Sequence, residues 1–407
     1  MARRWVRWLA ATWLASAVAE AVETPRQPDE IAPEPPPARR MPLSLPLPAA
    51  VERPALALDA VAHGGITVLG EVIPPATARR LSWTPVETFD LIAAPTPVLV
   101  INGATPGPTL CLTGAVHGDE INGVEIIRQV FFEIDPRKLS GVLLGVPIVN
   151  QMGFRRASRY LPDRRDLNRY FPGNPRGSSA SRIAYSFFQE VIAYCDALVD
   201  LHTGSFHRTN IPQLRADMDH PEVAQLVHSF GGMIVLHSKG APGTLRRAAV
   251  EAGIPAVTVE AGEPMRIQEE VVVDGVARIR ALMTNLGMYQ RPRFWSEAEP
   301  VYYNSRWVRA EQGGFLISKV KLGDRVKRGD LLGNVVNPID NRVHPLVSPY
   351  EGRVIGMALN QVVMPGYAAY HIGIEATEET LEPAEGKPPQ GAEGASPPAL
   401  RDLPELD

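Results

Sequence analysis

Short apolar runs alternate with amphipathic segments through the middle of this chain. The runs have the length and β-branched content of buried strands, and the segments between them place apolar residues at helical spacing. The predicted strands are 108–113, 141–149, 196–201, 233–236 and 256–260, and the predicted helices are 124–132, 179–193, 221–230 and 243–252. This alternation predicts an α/β fold with a mixed, mostly parallel sheet and helices on both faces.

The segments before and after this α/β region have a different sequence pattern. Short strands separated by Pro or Gly are predicted at 66–69, 81–84 and 97–101, and a second group of short strands with turn residues follows Pro292. We therefore expect a small C-terminal β domain after the α/β domain. The predicted organisation is a signal peptide at 1–19, a Pro-rich disordered linker at 20–54, the α/β domain at 55–290, the β domain at 291–375 and a disordered tail at 376–407.

The first residues have the pattern of a targeting segment. Arg3, Arg4 and Arg7 lead into the apolar run 8–19, which ends in small residues at signal-peptidase spacing. The run is shorter than the roughly 20 residues that span a bilayer, so an uncleaved anchor is the second choice. We expect an exported, periplasmic protein whose mature chain has no integral membrane span; without a functioning signal it would be cytoplasmic.

Composition narrows the classes further. A formal net charge of -4 over 407 residues argues against a nucleic-acid-binding protein. The chain has two cysteines, Cys111 and Cys195, which is too few for a disulfide scaffold. We interpret each as a buried free thiol, because unpaired cysteine is among the most buried residue types.

Candidate metal ligands follow two of the predicted strands. His117 and Glu120 lie on a Gly-flanked turn between a strand and a helix, at the edge of an α/β sheet where ligands bind. An imidazole and a carboxylate three residues apart can share one Zn²⁺ at about 2.0–2.2 Å. His202, which ends the strand Ala197-Leu-Val-Asp-Leu, is the best third ligand. Two His and one Glu leave a fourth position open, so we predict one catalytic Zn²⁺ per subunit.

Glu260 is the candidate base. It ends the strand Val257-Thr-Val, the same position that His117 and His202 occupy on their strands. A zinc ion lowers the pKa of its water from 15.7 to around 7, and a nearby carboxylate can take that proton and return it to a leaving amine. The alternative is that Glu260 is a cap or a salt-bridge partner.

An Arg-rich loop at 158–173 supplies candidate substrate contacts. It has no amphipathic period, so it faces solvent or an anion. We expect Arg159, Asn168 and Arg169 to contact substrate, with one guanidinium binding a carboxylate and another polarising the scissile carbonyl. The alternative, strongest for Arg164 and Arg165, is that these arginines only pair with the loop's own aspartates.

We interpret the other histidines as surface or core groups. Four of them lack a partner at ligand spacing, His207, His220, His228 and His237, and three lie outside the core of the α/β domain, His63, His344 and His371. His207, five residues after His202, is the one that could line the pocket.

Four motifs together resemble the succinylglutamate desuccinylase/aspartoacylase family, a branch of the zinc carboxypeptidase fold. They are His117-Gly-Asp-Glu120, Asp166-Leu-Asn-Arg169, Asp200-Leu-His202 and Val257-Thr-Val-Glu260, and the resemblance covers about residues 97–287. It implies that His117, Glu120 and His202 bind zinc, Glu260 is the general acid and base, Asn168 and Arg169 hold the substrate carboxylate, and Arg159 polarises the carbonyl. Within the family, the exported context is more similar to the predicted bacterial deacylases.

The C-terminal β domain resembles a lipoyl or biotinyl-type sandwich. Residues 320–332 and 348–354 look like its two half-motifs, but no Met-Lys-Met is present. We therefore interpret the domain as a scaffold that shapes or covers the active site.

These features predict a Zn²⁺-dependent deacylase that cleaves the amide bond of a small N-acylated amino acid or related amine, a substrate carrying a carboxylate. One alternative is a zinc carboxypeptidase or amidohydrolase acting on peptides, which would need an open groove. The other is a non-catalytic metal-binding protein on the same fold.

Overall fold

A computed structural model describes residues 65–85, 95–289 and 300–374. The predicted signal peptide, the Pro-rich linker and the C-terminal tail lie outside the described residues. No helix within the described ranges is long and apolar enough to cross a membrane.

The helices confirm the amphipathic pattern. Those in the described part of the chain are α1 (Asn122–Glu133), α2 (Gln151–Phe154), α3 (Ser179–Glu190), α4 (Pro221–His228), α5 (Leu245–Glu251) and α6 (Glu269–Asn285). α3 begins where the Ser178 side chain accepts the backbone N–H of Ser181, and α4 begins at a proline, which needs no hydrogen-bond acceptor there. The sequence analysis identified α1, α3, α4 and α5 but not α6.

The strands of the α/β region are β1 (Ile66–Val68), β2 (Glu71–Ile73), β3 (Thr77–Trp83), β4 (Thr96–Asn102), β5 (Thr105–Gly114), β6 (Ser140–Val146), β7 (Ala197–His202), β8 (Arg208–Ala216), β9 (Ile234–His237) and β10 (Ala256–Gly262). The C-terminal strands are β11 (Val301–Tyr302), β12 (Asn304–Arg309), β13 (Gly314–Ser318), β14 (Arg325–Val326), β15 (Leu331–Val336), β16 (Val343–Val347), β17 (Gly352–Ala358), β18 (Val362–Val363) and β19 (Ala368–Ile374). β8, which the sequence analysis missed, lies beside β10.

The central sheet is mixed. Its middle strands run in the order β6-β5-β7-β10 and all pair in parallel, whereas β4 and β3 on one side and β8 on the other pair antiparallel. The expectation of a mostly parallel sheet therefore holds for the middle of the sheet and not for its whole width. Since β5, β7 and β10 are parallel, their carboxyl ends lie along one edge, where ligands bind in sheets of this kind.

Helices cover both faces of this sheet, as predicted. One apolar cluster joins the sheet to α1, α4 and α6, through side chains such as Ile127, Leu226 and Ile279. A second cluster on the opposite face joins it to α3 and α5, through Phe187 and Leu245 among others. Because both faces are buried, the middle strands are continuous apolar runs rather than alternating ones.

Residues 300–374 form a two-layered β structure with its own apolar core. One layer has the strand order β16-β15-β13-β18, and the other contains β12, β19, β17 and β14. β17 also pairs antiparallel with β8, in register at Gly356↔Asn210, so the second layer continues the central sheet without a break. The lipoyl-type resemblance and the domain limits stay predictions, but the shared sheet brings the C-terminal strands to the edge that carries the candidate site.

The cysteine interpretation was wrong. Cys111 of β5 and Cys195, which precedes β7, form a disulfide with a Cα–Cα distance of 5.7 Å. Both are buried, as expected, but they are 84 residues apart in sequence. Only the parallel pairing of β5 with β7 brings them together, and that pairing is not visible in a composition count.

Candidate active site

The candidate site lies at the carboxyl ends of β5, β7 and β10. His117 and Glu120 lie on the turn between β5 and α1, and His202 is the last residue of β7. Glu260 of β10 is in direct register with His202. The turn needs glycine at position 118, because a Cβ there would approach the Gly153 backbone to 2.1 Å.

The predicted metal ligands converge. One donor atom from each of His117, Glu120 and His202 lies within 4.8 Å of the other two, and all three side chains are buried. Nδ1 of His117 is 2.9 Å from Oε1 of Glu120, and Nδ1 of His202 is 2.8 Å from Oε2. The Thr203 backbone N–H also donates to Oε2 (3.1 Å), which fixes the carboxylate between the two rings.

Two aspartates orient the imidazoles, a role that the sequence analysis did not assign. Asp166 Oδ1 is 3.0 Å from Nε2 of His117, and Asp200 Oδ2 is 2.8 Å from Nε2 of His202. A carboxylate on the outer nitrogen keeps a proton there and leaves Nδ1 on the Glu120 side, where its lone pair would be available to a metal ion. Asp200 is itself held by the Thr113 hydroxyl at 2.7 Å. This is the arrangement that metal-binding histidines show in proteins.

The site is a cluster of opposite charges. Burial opposes ionisation of Glu120, but His117 and His202 outweigh it and hold the pKa of this carboxyl well below its ordinary value. Burial likewise opposes protonation of His202, and the neighbouring Asp200 and Glu120 raise the pKa of its imidazole well above the ordinary value. The carboxylates therefore attract a positive charge to the buried centre of the site.

Arg159 is at the centre of the site rather than at its rim. Its Nη1 is 3.1 Å from Oε1 of Glu120, and its Nη2 is 3.0 Å from Oδ2 of Asp166. It is 6% exposed, and its guanidinium lies 5.3 Å from the centre of the Phe206 ring. Against burial, which acts to lower it, the charges of Glu120 and Asp166 raise the pKa of Arg159. A fixed cation beside the candidate metal ligands can stabilise a developing oxyanion.

The alternative that the loop's arginines only pair with its own aspartates holds for one of the two aspartates and is incomplete for Asp166. Arg165 pairs with Asp163 at 2.6 Å in an exposed position, as that alternative predicted. Asp166, however, contacts His117 and Arg159 in the interior. Burial acts against ionisation, and the hydrogen bond and charge of His117 outweigh it and lower the pKa of Asp166.

Asn168 and Arg169 lie on a short 3-10 turn that lines the same cleft. The Asp166 side chain caps this turn by accepting the N–H of Asn168 at 2.9 Å. Asn168 Oδ1 accepts the N–H of Leu245, and Arg169 Nη1 donates to the carbonyl of Asn168. Asn168 and Arg169 thus lie at the site, as predicted. The side-chain oxygen of Asn168 is already hydrogen-bonded to the first residue of α5.

Glu260 has two polar neighbours, both on β8. Asn210 Nδ2 donates to Oε2 at 3.0 Å, and Arg215 Nε is 3.4 Å from Oε1. Neither neighbour was predicted, because the sequence analysis did not identify β8. They hold the carboxylate in the cleft beside His202, where it can exchange a proton with a bound water or an amine.

The site opens into a cleft of about 610 Å³. All seven predicted site residues line it, together with further residues that were not predicted: Arg208, Asn210, Arg215, Arg246, Trp307, Arg309 and Tyr367 among them. His207 does not appear among the lining residues. Arg246 of α5 is 5% exposed, and burial lowers the pKa of its guanidinium to about 10. Trp307 lies on β12 and Tyr367 immediately precedes β19, so residues 300–374 form one wall of the cleft.

Residues 106–286 match the model of the succinylglutamate desuccinylase/aspartoacylase catalytic domain. This segment is similar to that catalytic domain. The matched segment contains the seven predicted site residues and both outer aspartates, so the four-motif resemblance is confirmed.

The chain is also similar to individual proteins. The N-alpha-acetyl-L-2,4-diaminobutyric acid deacetylase of Halomonas elongata is 26% identical over 265 residues, which span 61% of this chain and 76% of that protein. The fold is shared with a succinylglutamate desuccinylase from a Silicibacter species, with a TM-score of 0.67 and 24% identity over 74% of this chain and 97% of the other. The product-bound ectoine utilization protein EutE of Ruegeria pomeroyi has a TM-score of 0.68, with 24% identity over 74% and 97% of the two chains.

A second group of possible ligands lies outside the cleft of the desuccinylase/aspartoacylase domain. Asp217, Asp219 and His237 come within the same 4.8 Å criterion, which corrects the interpretation of His237 as a histidine without such partners. Lys239 is 3.2 Å from Asp219, and the Met218 N–H donates to Nδ1 of His237. These contacts already satisfy the group, so we assign no site to it.

Proposed function

We propose that this protein is a zinc-dependent deacylase that cleaves the amide bond of a small N-acylated amino acid or related amine. The observation that carries this proposal is the convergence of His117, Glu120 and His202, with Nδ1 of both rings directed at one carboxylate. Two imidazole nitrogens and a carboxylate oxygen, with both rings oriented by aspartates, are a donor set that suits zinc. A zinc ion held there would lower the pKa of water to around 7 and polarise a carbonyl.

The surrounding residues have distinct roles in this proposal. Glu260, held by Asn210 and Arg215, accepts a proton from the attacking water and delivers it to the leaving amine. Arg159, fixed by Glu120 and Asp166, faces the carbonyl oxygen and stabilises the charge that develops on it. Arg169 and the amide nitrogen of Asn168 bind the substrate carboxylate at the other side of the cleft.

Small substrates are favoured over peptides by the wall that the C-terminal strands build. A peptide substrate needs an open groove for the rest of its chain beyond the scissile bond, whereas Trp307 and Tyr367 line this cleft from the C-terminal side. The volume of about 610 Å³ is that of a small-molecule pocket. The curated relative is a deacetylase of N-alpha-acetyl-L-2,4-diaminobutyric acid, which makes that compound the first candidate to test.

The test is a substrate panel with the purified protein, with and without added zinc. The panel contains N-alpha-acetyl-diaminobutyrate, N-acetylaspartate, N-succinylglutamate and an acylated dipeptide. We expect zinc-dependent release of amine from one of the single amino acids, and a fall in kcat of about 10²–10⁴-fold in Glu260→Gln. Glu251→Gln, the same change at an exposed glutamate, is the matched control. Cleavage of the dipeptide alone would support the peptidase alternative, and no cleavage at all would refute the proposal.

We also propose that the protein is exported to the periplasm. Beyond the N-terminal charge and apolar pattern, the Cys111–Cys195 disulfide supports this, because disulfides persist in oxidising compartments and are rare in the cytosol. Fractionation of cells and N-terminal sequencing of the mature protein test it. Full-length protein in the cytosol, with both thiols reduced, would contradict it.

A further inference from the structure

The turn that follows His202 has an unusual backbone. Phe206 and His207 both have positive φ angles, 53° and 59°, although neither is glycine. This left-handed region is unfavourable for residues with a Cβ, and two consecutive side-chain-bearing residues adopt it only when their surroundings impose it. Phe206 lines the cleft, so the imposed conformation is at the site itself.

The connections between β17, β18 and β19 supply the groups that impose it. The Tyr367 hydroxyl donates to the carbonyl of Phe206 at 2.5 Å. The carbonyl of His207 accepts from Nε2 of Gln361 at 2.8 Å and from the backbone N–H of Leu359 at 2.9 Å. Gln361 also donates to the Tyr367 hydroxyl at 3.1 Å, so the two side chains act as one clamp. Both carbonyls of the left-handed residues are therefore held from 359–367.

The held turn presents an aromatic ring to Arg159. The guanidinium carbon of Arg159 lies 5.3 Å from the centre of the Phe206 ring, within the range of a cation–π contact. The same guanidinium bonds to Glu120 and Asp166. Arg159 is thus restricted by two carboxylates and by an aromatic face. Of these three contacts, the one with the Phe206 ring depends on residues 359–367.

We propose that Phe206, Gln361 and Tyr367 are positioning residues, through which the connections between β17, β18 and β19 fix the Arg159 guanidinium for the reaction. The clamp holds the turn at 205–207 in its left-handed conformation, the turn places the Phe206 ring, and the ring limits the movement of Arg159. The catalytic consequence rests on the proposed function, because it needs Arg159 to act on a carbonyl. The structural part of the proposal, that two side chains hold the turn in its conformation, does not rest on the proposed function.

A rival explanation is that Tyr367 simply contacts substrate, since it lines the cleft. The two roles predict different kinetics. Loss of a substrate contact that is equal in the ground and transition states raises KM and leaves kcat unchanged. Loss of a positioning contact lowers kcat with little effect on KM, because a misplaced guanidinium binds substrate but stabilises the transition state poorly.

The experiment combines hydrogen exchange with kinetics on the full chain loaded with zinc. The variants are Tyr367→Phe and Gln361→Met, with Tyr303→Phe as the control for losing a tyrosine hydroxyl at an exposed position. We expect the amides of residues 203–208 to exchange roughly tenfold faster in both clamp variants, the effect of losing about one hydrogen bond. We expect kcat to fall about tenfold, with KM changed less than about twofold. Unchanged exchange, or a raised KM with the original kcat, would overturn the proposal.

A second pair of variants protects the test against a clamp variant that fails to fold. Phe206→Leu removes the aromatic face and Phe206→Tyr keeps it, so kcat should fall about tenfold in the first and be retained in the second. Equal kcat in the two would also overturn the proposal. If the native chain hydrolyses nothing in the panel, the proposed function fails, and the exchange rates of residues 203–208 still decide whether the clamp exists.

Discussion

Asp200 and His202 are two residues apart on β7, and Oδ2 of Asp200 lies 2.8 Å from Nε2 of His202. Nδ1 of the same ring faces Glu120 at 2.8 Å, so a metal ion bound at Nδ1 would leave the ring proton on Nε2, where Asp200 accepts it. Successive strand residues point to opposite faces, so i and i+2 share a face, and both side chains can meet at the end of the strand. The contact is local in sequence, but its consequence depends on Glu120, which comes from another strand end.

Asp200→Asn should weaken zinc binding by about 10–100-fold, because the amide no longer stabilises the proton on the outer nitrogen of His202. Competition with a chromophoric chelator measures the affinity directly. Asp340→Asn, an equivalent change at an exposed acid away from the cleft, should bind zinc as the native chain does. Native affinity in Asp200→Asn would show that the carboxylate does not orient this ligand.

Zinc should stabilise the folded protein by binding to His117, Glu120 and His202. At a free zinc concentration one hundred times Kd, the free energy of unfolding should rise by about 2.7 kcal/mol, provided the unfolded chain does not bind the ion. Thermal unfolding with and without a chelator measures this. His202→Ala should abolish the zinc-dependent rise in Tm, whereas His220→Ala, at a half-exposed position, should keep it. A rise that survives in His202→Ala would place the ion elsewhere.

Asn210→Ala should lower kcat by roughly tenfold, since it removes the hydrogen bond that holds Oε2 of Glu260. The loss should be smaller than in Glu260→Gln, because the proton-transfer group itself remains. Asn285→Ala, which removes an amide from an exposed helix end, serves for comparison. If Asn210→Ala keeps full kcat, Glu260 is positioned by other contacts.

The disulfide should contribute about 2–5 kcal/mol to the free energy of unfolding, as is usual for a bridge that closes a long loop. Urea unfolding of the native chain with and without reductant, beside the double variant Cys111→Ala/Cys195→Ala, measures the contribution. The double variant should be less stable and insensitive to reductant. Two titratable thiols in the native protein after oxidative purification would contradict the bridge.

Much of the candidate site could be predicted because its residues occupy equivalent positions on successive strands. His117, His202 and Glu260 each follow or end an apolar run, and parallel strands bring such ends to one edge. Arg159, Asn168 and Arg169 could be placed near that edge because an Arg-rich loop without helical period cannot enter the core. The aspartates at 166 and 200 were visible in the motifs, but their contacts with imidazole nitrogens were not.

The remaining residues reach the site only because particular strands lie side by side. The spacing of apolar residues along the sequence does not specify which strands are neighbours. Asn210 and Arg215 meet Glu260 because β8 pairs with β10, and Tyr367 reaches Phe206 because β17 extends the sheet beyond β8. The disulfide was missed for the same reason, since it requires β5 and β7 to be adjacent.

The sequence by itself determined the alternation of strands and helices, the three zinc-ligand candidates and the acid that accompanies them. These follow from the spacing of side chains along the chain, which is a local property. The tertiary structure decided which strands lie side by side, and through that the bridge between the cysteines, the orientation of each imidazole and the wall that the C-terminal strands add to the cleft. Such contacts join residues far apart in the chain, and they exist only once burial of the apolar faces has fixed the order of the sheet.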